Sequence, residues 1–408
     1  MDKNKYIDKF AYVIVKDGLN VQKGQVVLIK SPVEAYLLAR AVAKAAYEVG
    51  AKKVLIDYND QEVSKSFYLN ASDDTLKEIP EYEVEKAKYL IENGACMLSI
   101  NSPKIGLMED VDVNKIKMYN VAYMQKMGFF RSYSMDNKGQ WCVVAYPNDA
   151  WANKVFPGVD NSFDKLFEKI MVASRIKIDD EKLSWENHMK DLEYYKDVLN
   201  NYKFKSLYFK NSLGTDLEVK LVDGHIWGGG NEKTQGGITF SPNIPTEEVF
   251  TMPHKNGVNG RVVATMPLSY QGNLIEDFYL DFKDGAVISY GAKKCEDVLK
   301  SILDTDEGSK RLGEVALISY NSPISNMKTL FYNTLFDENA SCHLALGNAY
   351  TMNIKDGYVL SKEELSKKGY NSSMIHVDFM FGSSDMTVTG TLENGKKIRI
   401  FDKGNFVL

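Results

Sequence analysis

The spacing of apolar residues changes once along this chain, and that change constrains the fold more than any other feature of the sequence. In the first part, helical spacing alternates with short continuous apolar runs. Residues 5–17 repeat Tyr6, Phe10, Val13 and Ile14 on a helical face, and QVVLIK at 25–30 follows as a buried strand. The order recurs in AYLLARAVAKAAYEVG, where Gly50 is a helix stop, and in the strand KKVLIDY. ACMLSINSP at 95–103 and QWCVVAYP at 140–147 are read as third and fourth strands, with room for helices between them. This alternation predicts a mostly parallel sheet covered on both faces.

Beyond the charged helical stretch SWENHMKDLEYYKDVLNNYKF the runs become short and alternating. SLYFKNSLGTDLEVKLV, RVVATMPLSY, DFYLDFKDGAVISYG and MTVTGTLENGKKIRIFDKG carry turns at Gly, Asn and Asp, the pattern of antiparallel hairpins. Two helices are expected to interrupt them, KKCEDVLKSILD at 293–304 and KTLFYNTLFDENASCHLALG at 328–347. If the second ends before Asp337, Cys342 and His343 fall on a loop. A chain of 408 residues exceeds one ordinary core. The expected fold is an α/β domain with a mostly parallel sheet over 1–187, followed by an α+β catalytic domain rich in antiparallel hairpins over 188–408.

Composition removes several classes of function. With 50 basic and 55 acidic residues, a net charge of −5 and no long block of either sign, nucleic acid and anionic membrane are not expected partners. Cys96, Cys142, Cys295 and Cys342 are scattered, which fits neither a CxxC site nor a disulfide framework and points to reduced thiols in a cytoplasm. Charges interrupt every apolar stretch of MDKNKYIDKFAYVIVKDGL, so neither a signal-peptide core nor a spanning segment of about 20 residues is expected. No GxGxxG, GxxxxGK[ST], GxSxG or HExxH occurs. The glycine cluster GHIWGGGNEKTQGG at 224–237 is read as turns or a flexible loop.

Five histidines remain to be placed. His188 lies among the charges of a helix, His225 beside a glycine turn and His254 in the loop MPHKNG, all solvated or hydrogen-bonded positions. His376 differs, because IHVDFMFG sets His376 and Asp378 two apart in an apolar run, on one strand face. The pair fits a metal site and equally a buried hydrogen-bonded pair. His343 follows Cys342 in ENASCHLALGNAY, which Tyr350 closes. Glu314 begins a strand-like run in KRLGEVALISY, and the adjacent Glu247 and Glu248 lie between prolines in PNIPTEEVFTMP.

Taken in order, NIPTEEVFTMP, the LGE of RLGEVALIS, ASCHLALGNAY and IHVDFMFGS resemble the thermophilic aminopeptidases, metallopeptidase family M29, over essentially the whole chain. The resemblance implies two divalent metal ions held by Glu248, Glu314, His343, His376 and Asp378, with Tyr350 at the position of the family's active-site tyrosine. Glu248 is preferred to Glu247 because the family pattern places the glutamate immediately before VF. Such a mixed oxygen and nitrogen set suits zinc, cobalt or manganese. Two such ions together bring a shared water's pKa down to about 7. A general base must carry its proton to the leaving amine, for which Glu247 or Glu314 is available. Tyr350 would donate to the tetrahedral oxyanion. The expected substrates are peptides with a free N-terminus, whose α-amino group a metal or carboxylate would hold; Asp385 is one candidate for that contact. The family also implies a homodimer. Competing readings are an amidase, a phosphoesterase or a non-catalytic small-molecule-binding protein.

Overall fold

In the computed structural model, residues 2–178, 184–271 and 273–408 are described. The chain divides into two compact units, Met1–His188 with Asn231–Pro245, and Met189–Gly230 with Thr246–Leu408.

The first unit is built on parallel strands β1 (Val26–Pro32), β2 (Lys53–Asn59), β3 (Cys96–Asn101), β4 (Trp141–Ala145) and β5 (Asn243–Ile244), in the order β2-β1-β3-β4-β5. The four strands read from the sequence are all present. β1 is buried along nearly its whole length, as a central parallel strand should be, whereas β2 at the edge is half-exposed. Helix Tyr36–Glu48 buries Leu38, Ala39, Val42, Ala45 and Ala46, the face its periodicity predicts, and Gly50 follows it at φ +97°. β5 comes from much later in the chain. A strand of two residues leaves no periodicity to read, yet it fixes Asn231–Pro245 to this unit, and the Val143 N–H donates to the Pro242 carbonyl at 2.8 Å.

Antiparallel sheets make up the second unit. The larger one orders the strands Ala286–Gly291, Tyr279–Lys283, Pro253–Val263, Asp216–Leu221, Ser206–Lys210, Thr387–Thr391, Lys397–Asp402 and Asn405–Phe406. A smaller sheet orders β6 (Val249–Thr251), β7 (Leu312–Leu317), β8 (His343–Gly347) and β9 (His376–Met380). The expected helix at 293–304 is present as Glu296–Leu303.

Three local readings are corrected. The helix expected over 328–347 is one turn, Thr334–Asp337, then a 3-10 turn Glu338–Ala340, then strand β8. All five residues of β8 are buried, and a short run buried on both faces has no period that separates strand from helix. His254 lies on the strand Pro253–Val263, whose register shifts between Pro253 and Val258, so its Pro and Gly mark an irregular strand and not a loop. The glycine cluster is ordered pairing: Glu232–Lys233 and Thr239–Phe240 form a small hairpin, and Gly228 bridges to Phe250. Among the described residues no helix is long and apolar enough to cross a membrane.

Candidate metal centre

Register across the smaller sheet gathers the polar residues on one side. Glu314 of β7 faces Ala345 of β8, and Ala345 faces Asp378 of β9. Residues directly opposite share a face, and so do positions i and i+2 along a strand. Glu314, His343, His376 and Asp378 therefore project together, around an Ala345 side chain that contributes only a methyl group. Phe250 belongs to the same face, because it pairs with Ala316, which pairs with His343. Glu248 lies just before that strand, and its carboxylate reaches the same cluster at His343. One cluster thus collects all five residues that the sequence nominated as ligands.

The side chains meet closely. His343 Nε2 lies 3.3 Å from Glu248 Oε2 and 3.2 Å from Glu314 Oε1, and one ligand atom from each of these three residues falls within 4.8 Å of the others. His376 Nε2 lies 3.3 Å from Asp378 Oδ1 and 3.7 Å from Glu314 Oε2. The histidines are oriented from behind: His343 Nδ1 is 2.8 Å from the Glu338 carbonyl, and His376 Nδ1 is 2.7 Å from the Asn348 carbonyl. A carbonyl only accepts, so each Nδ1 carries the proton and each Nε2 is directed at the carboxylates. Metal-ligating imidazoles are held in this way.

Electrostatics tighten the argument. His343 is 1% exposed and Glu314 5%. Burial works to lower the pKa of His343, but its bonds to Glu248 and Glu314 push it well above the ordinary value. At His376 burial is again outweighed, here by Asp378 and then Glu314, and the pKa is pushed up to about 9. Burial, with repulsion from Glu248 and Asp378, holds Glu314 above the usual carboxylate range against the lowering bond from His343. Asp378 goes the other way, since pairing with His376 overcomes the effect of burial. Carboxylates crowded out of water need cations to stay charged, and among the described residues the imidazoles of His343 and His376 are the cationic groups paired with them. Asp378 Oδ1 is buried, and its contact with His376 Nε2 at 3.3 Å lacks the geometry of a hydrogen bond. A poorly satisfied carboxylate oxygen, two Nε2 atoms aimed inward and hard oxygen donors all fit a divalent cation.

Glu338 escaped the sequence reading. Burial and repulsion from Asp378 and Glu248 hold its carboxyl well above the ordinary range, so it belongs to the same electrostatic cluster. It was hidden inside the presumed helix. The only signal available was an acidic residue five positions before a histidine. Tyr350 stands beside the cluster, its ring 4.7 Å from that of His376 and 6.3 Å from that of Phe250. Burial first, then Glu314, Asp378, Glu338 and Glu248, keeps the phenol above its usual value, so it stays protonated and able to donate.

Other nominated groups sit elsewhere. Glu247 is 6% exposed, and its backbone N–H donates to Asn339 Oδ1 at 2.7 Å. Asp385 is engaged locally, accepting from the Ser212 N–H at 2.8 Å and the Ser383 hydroxyl at 2.6 Å, bonds that hold its carboxyl down at about 2. Those bonds occupy both of its oxygens and speak against a substrate contact there. His188 packs on Trp185, His225 Nδ1 meets the Val222 carbonyl and His254 Nδ1 accepts from the Asn256 N–H.

A buried, one-faced set of carboxylates and imidazoles on an antiparallel sheet is the kind of site a metal-dependent hydrolase uses. The family model described as thermophilic metalloprotease (M29) matches residues 3–406, and the chain belongs to that family, hydrolases of peptide bonds. Aminopeptidase 2 of Geobacillus stearothermophilus is 45% identical over 404 residues, 98% of each chain. Aminopeptidase AmpS of Bacillus subtilis is 42% identical over 402 residues, again 98% of each. The structure of wild-type AmpT from Thermus thermophilus superposes with a TM-score of 0.91 at 35% identity, covering 99% of both chains. A 2,5-dihydroxypyridine dioxygenase from Pseudomonas putida KT2440 has a TM-score of 0.54 at 10% identity, a likeness of fold alone.

Proposed function

We propose that this chain is a two-metal aminopeptidase that removes residues from the N-termini of peptides, with Glu248, Glu314, His343, His376 and Asp378 as ligands. The observation that carries the reading is the division of the cluster into two halves that share Glu314. Oε1 faces His343, which also meets Glu248, and Oε2 faces His376, beside Asp378. Glu314 is the carboxylate that would be available to an ion in either half. Glu338 shares the electrostatic field of both halves.

Divalent ions held there supply Lewis acidity and a nucleophilic water at neutral pH. The chain's own residues do the rest. The Glu338 and Asn348 carbonyls fix the histidine tautomers, so neither imidazole has to turn before it can ligate. Tyr350, kept protonated, donates to the oxygen on which charge develops during attack on the scissile carbonyl. Proton delivery to the leaving amine falls to Glu247 or Glu314. Zinc, cobalt or manganese suits the donor set. A cytoplasmic location and a homodimer complete the proposal, resting on the scattered cysteines and on the family.

A substrate panel tests the reaction class. Aminoacyl anilides and free-amine peptides should be cleaved, and their N-acetylated counterparts should not. Preferential turnover of phosphoesters or of N-blocked amides would refute the aminopeptidase assignment.

A further inference from the structure

We propose that Asn339 is a positioning residue that ties two arms of the metal centre together before any ion binds, an inference that rests on the metal reading above. The side chain is 0% exposed. Its Oδ1 accepts from the Glu247 N–H at 2.7 Å, and its Nδ2 donates to the Leu335 carbonyl at 3.1 Å. One partner is a donor and the other an acceptor, so the orientation of the amide is fixed by its surroundings and only an amide of this length satisfies both.

The two arms it joins are 92 residues apart in sequence. One carries Glu248, immediately after the bonded amide. The other is the 3-10 turn Glu338–Ala340, which contains Asn339 itself, bears Glu338 and offers the carbonyl that orients His343. Glu314, His376 and Asp378 are placed differently, by the register of β7, β8 and β9. A break at Asn339 should therefore loosen the Glu248 and His343 half and spare the half built on β9. An unmade bond here would also leave the Glu247 N–H and the Leu335 carbonyl without these partners, a cost that does not depend on whether an ion is bound.

The test compares metal-stripped wild type with Asn339→Ala and Asn339→Asp by calorimetric titration with zinc or cobalt. Wild type should bind two ions. Asn339→Ala should bind one of them about 10–100-fold more weakly, the loss typical of a missing outer support, and leave the other unchanged. Asn339→Asp keeps the acceptor for the Glu247 N–H but sets a carboxylate oxygen against the Leu335 carbonyl, so it should recover only part of the loss. Unchanged affinities in Asn339→Ala, or equal weakening of both ions, would overturn the proposal. Hydrogen exchange on wild type serves if Asn339→Ala does not fold: the Glu247 amide should be equally protected with and without metal, and protection gained only on metal addition contradicts a preformed brace. Two ions in wild type with an unaffected Asn339→Ala would reject the brace alone, whereas a wild type that takes up no ion rejects the metal centre as well.

Discussion

Glu314 turns one carboxylate oxygen toward each of two histidines, Oε1 at 3.2 Å from His343 Nε2 and Oε2 at 3.7 Å from His376 Nε2. Neither histidine shares its strand, and only the antiparallel register brings the three together. Glu314→Gln keeps the shape and one acceptor oxygen but removes the charge and the second acceptor. Both ions should bind more weakly, by more than the roughly 10–100-fold cost of losing an outer-shell partner. Metal analysis after dialysis checks this, and two retained ions would contradict the shared role.

Tyr350→Phe removes a hydroxyl and little else. Turnover should fall by about 10²–10³, the usual cost of an oxyanion donor, with metal content and KM nearly unchanged. The phenol is held above its ordinary range, so wild-type activity should show no limb from Tyr350 at moderately alkaline pH. Steady-state kinetics on an aminoacyl anilide measure both.

The histidines predict how pH acts on the metal-free protein. His376 rises from an ordinary 6.5 to about 9 on folding. A group raised in this way stabilises the fold fully below its unfolded pKa and loses that effect as pH climbs through the folded one. Thermal stability of stripped protein should accordingly decline between about pH 6.5 and 9 on this group's account, while metal affinity climbs over the same window. Binding at pH 7 should release protons, seen as a calorimetric heat that varies with the buffer's ionisation enthalpy. A heat independent of buffer would count against this picture.

Gly229 offers a backbone test of Glu248. A Cβ there would lie 2.3 Å from the Glu248 carbonyl oxygen and 2.9 Å from Val249 Cα, at φ +118°. Gly229→Ala should cost about 1–3 kcal/mol in stability from strain alone and displace Glu248, weakening metal binding as well. Denaturant unfolding with parallel metal titration checks the pair of effects.

How much of this was legible beforehand follows from what each signal depends on. The parallel strands and their helices could be read because they are local patterns. So could His376 and Asp378, since two residues on one strand announce their shared face. Glu314 looked the same as a solvated strand-edge acid, because its burial comes from β6 and β8 on either side and register is not written in one strand. The strand that carries His343 and the turn that carries Glu338 were obscured together by the apolarity of LALG, which let a helix run through both. Gly229 passed for a loop glycine because the backbone it admits, at Glu248, is far along the chain.

The most direct test treats one sample with chelator, then measures metal content and leucyl-anilide hydrolysis before and after adding zinc, cobalt or manganese. The account predicts that activity is lost with the metal and returns as about two ions per chain are taken up. Hydrolysis that survives complete removal of metal, or a stripped protein that binds no ion, would contradict it.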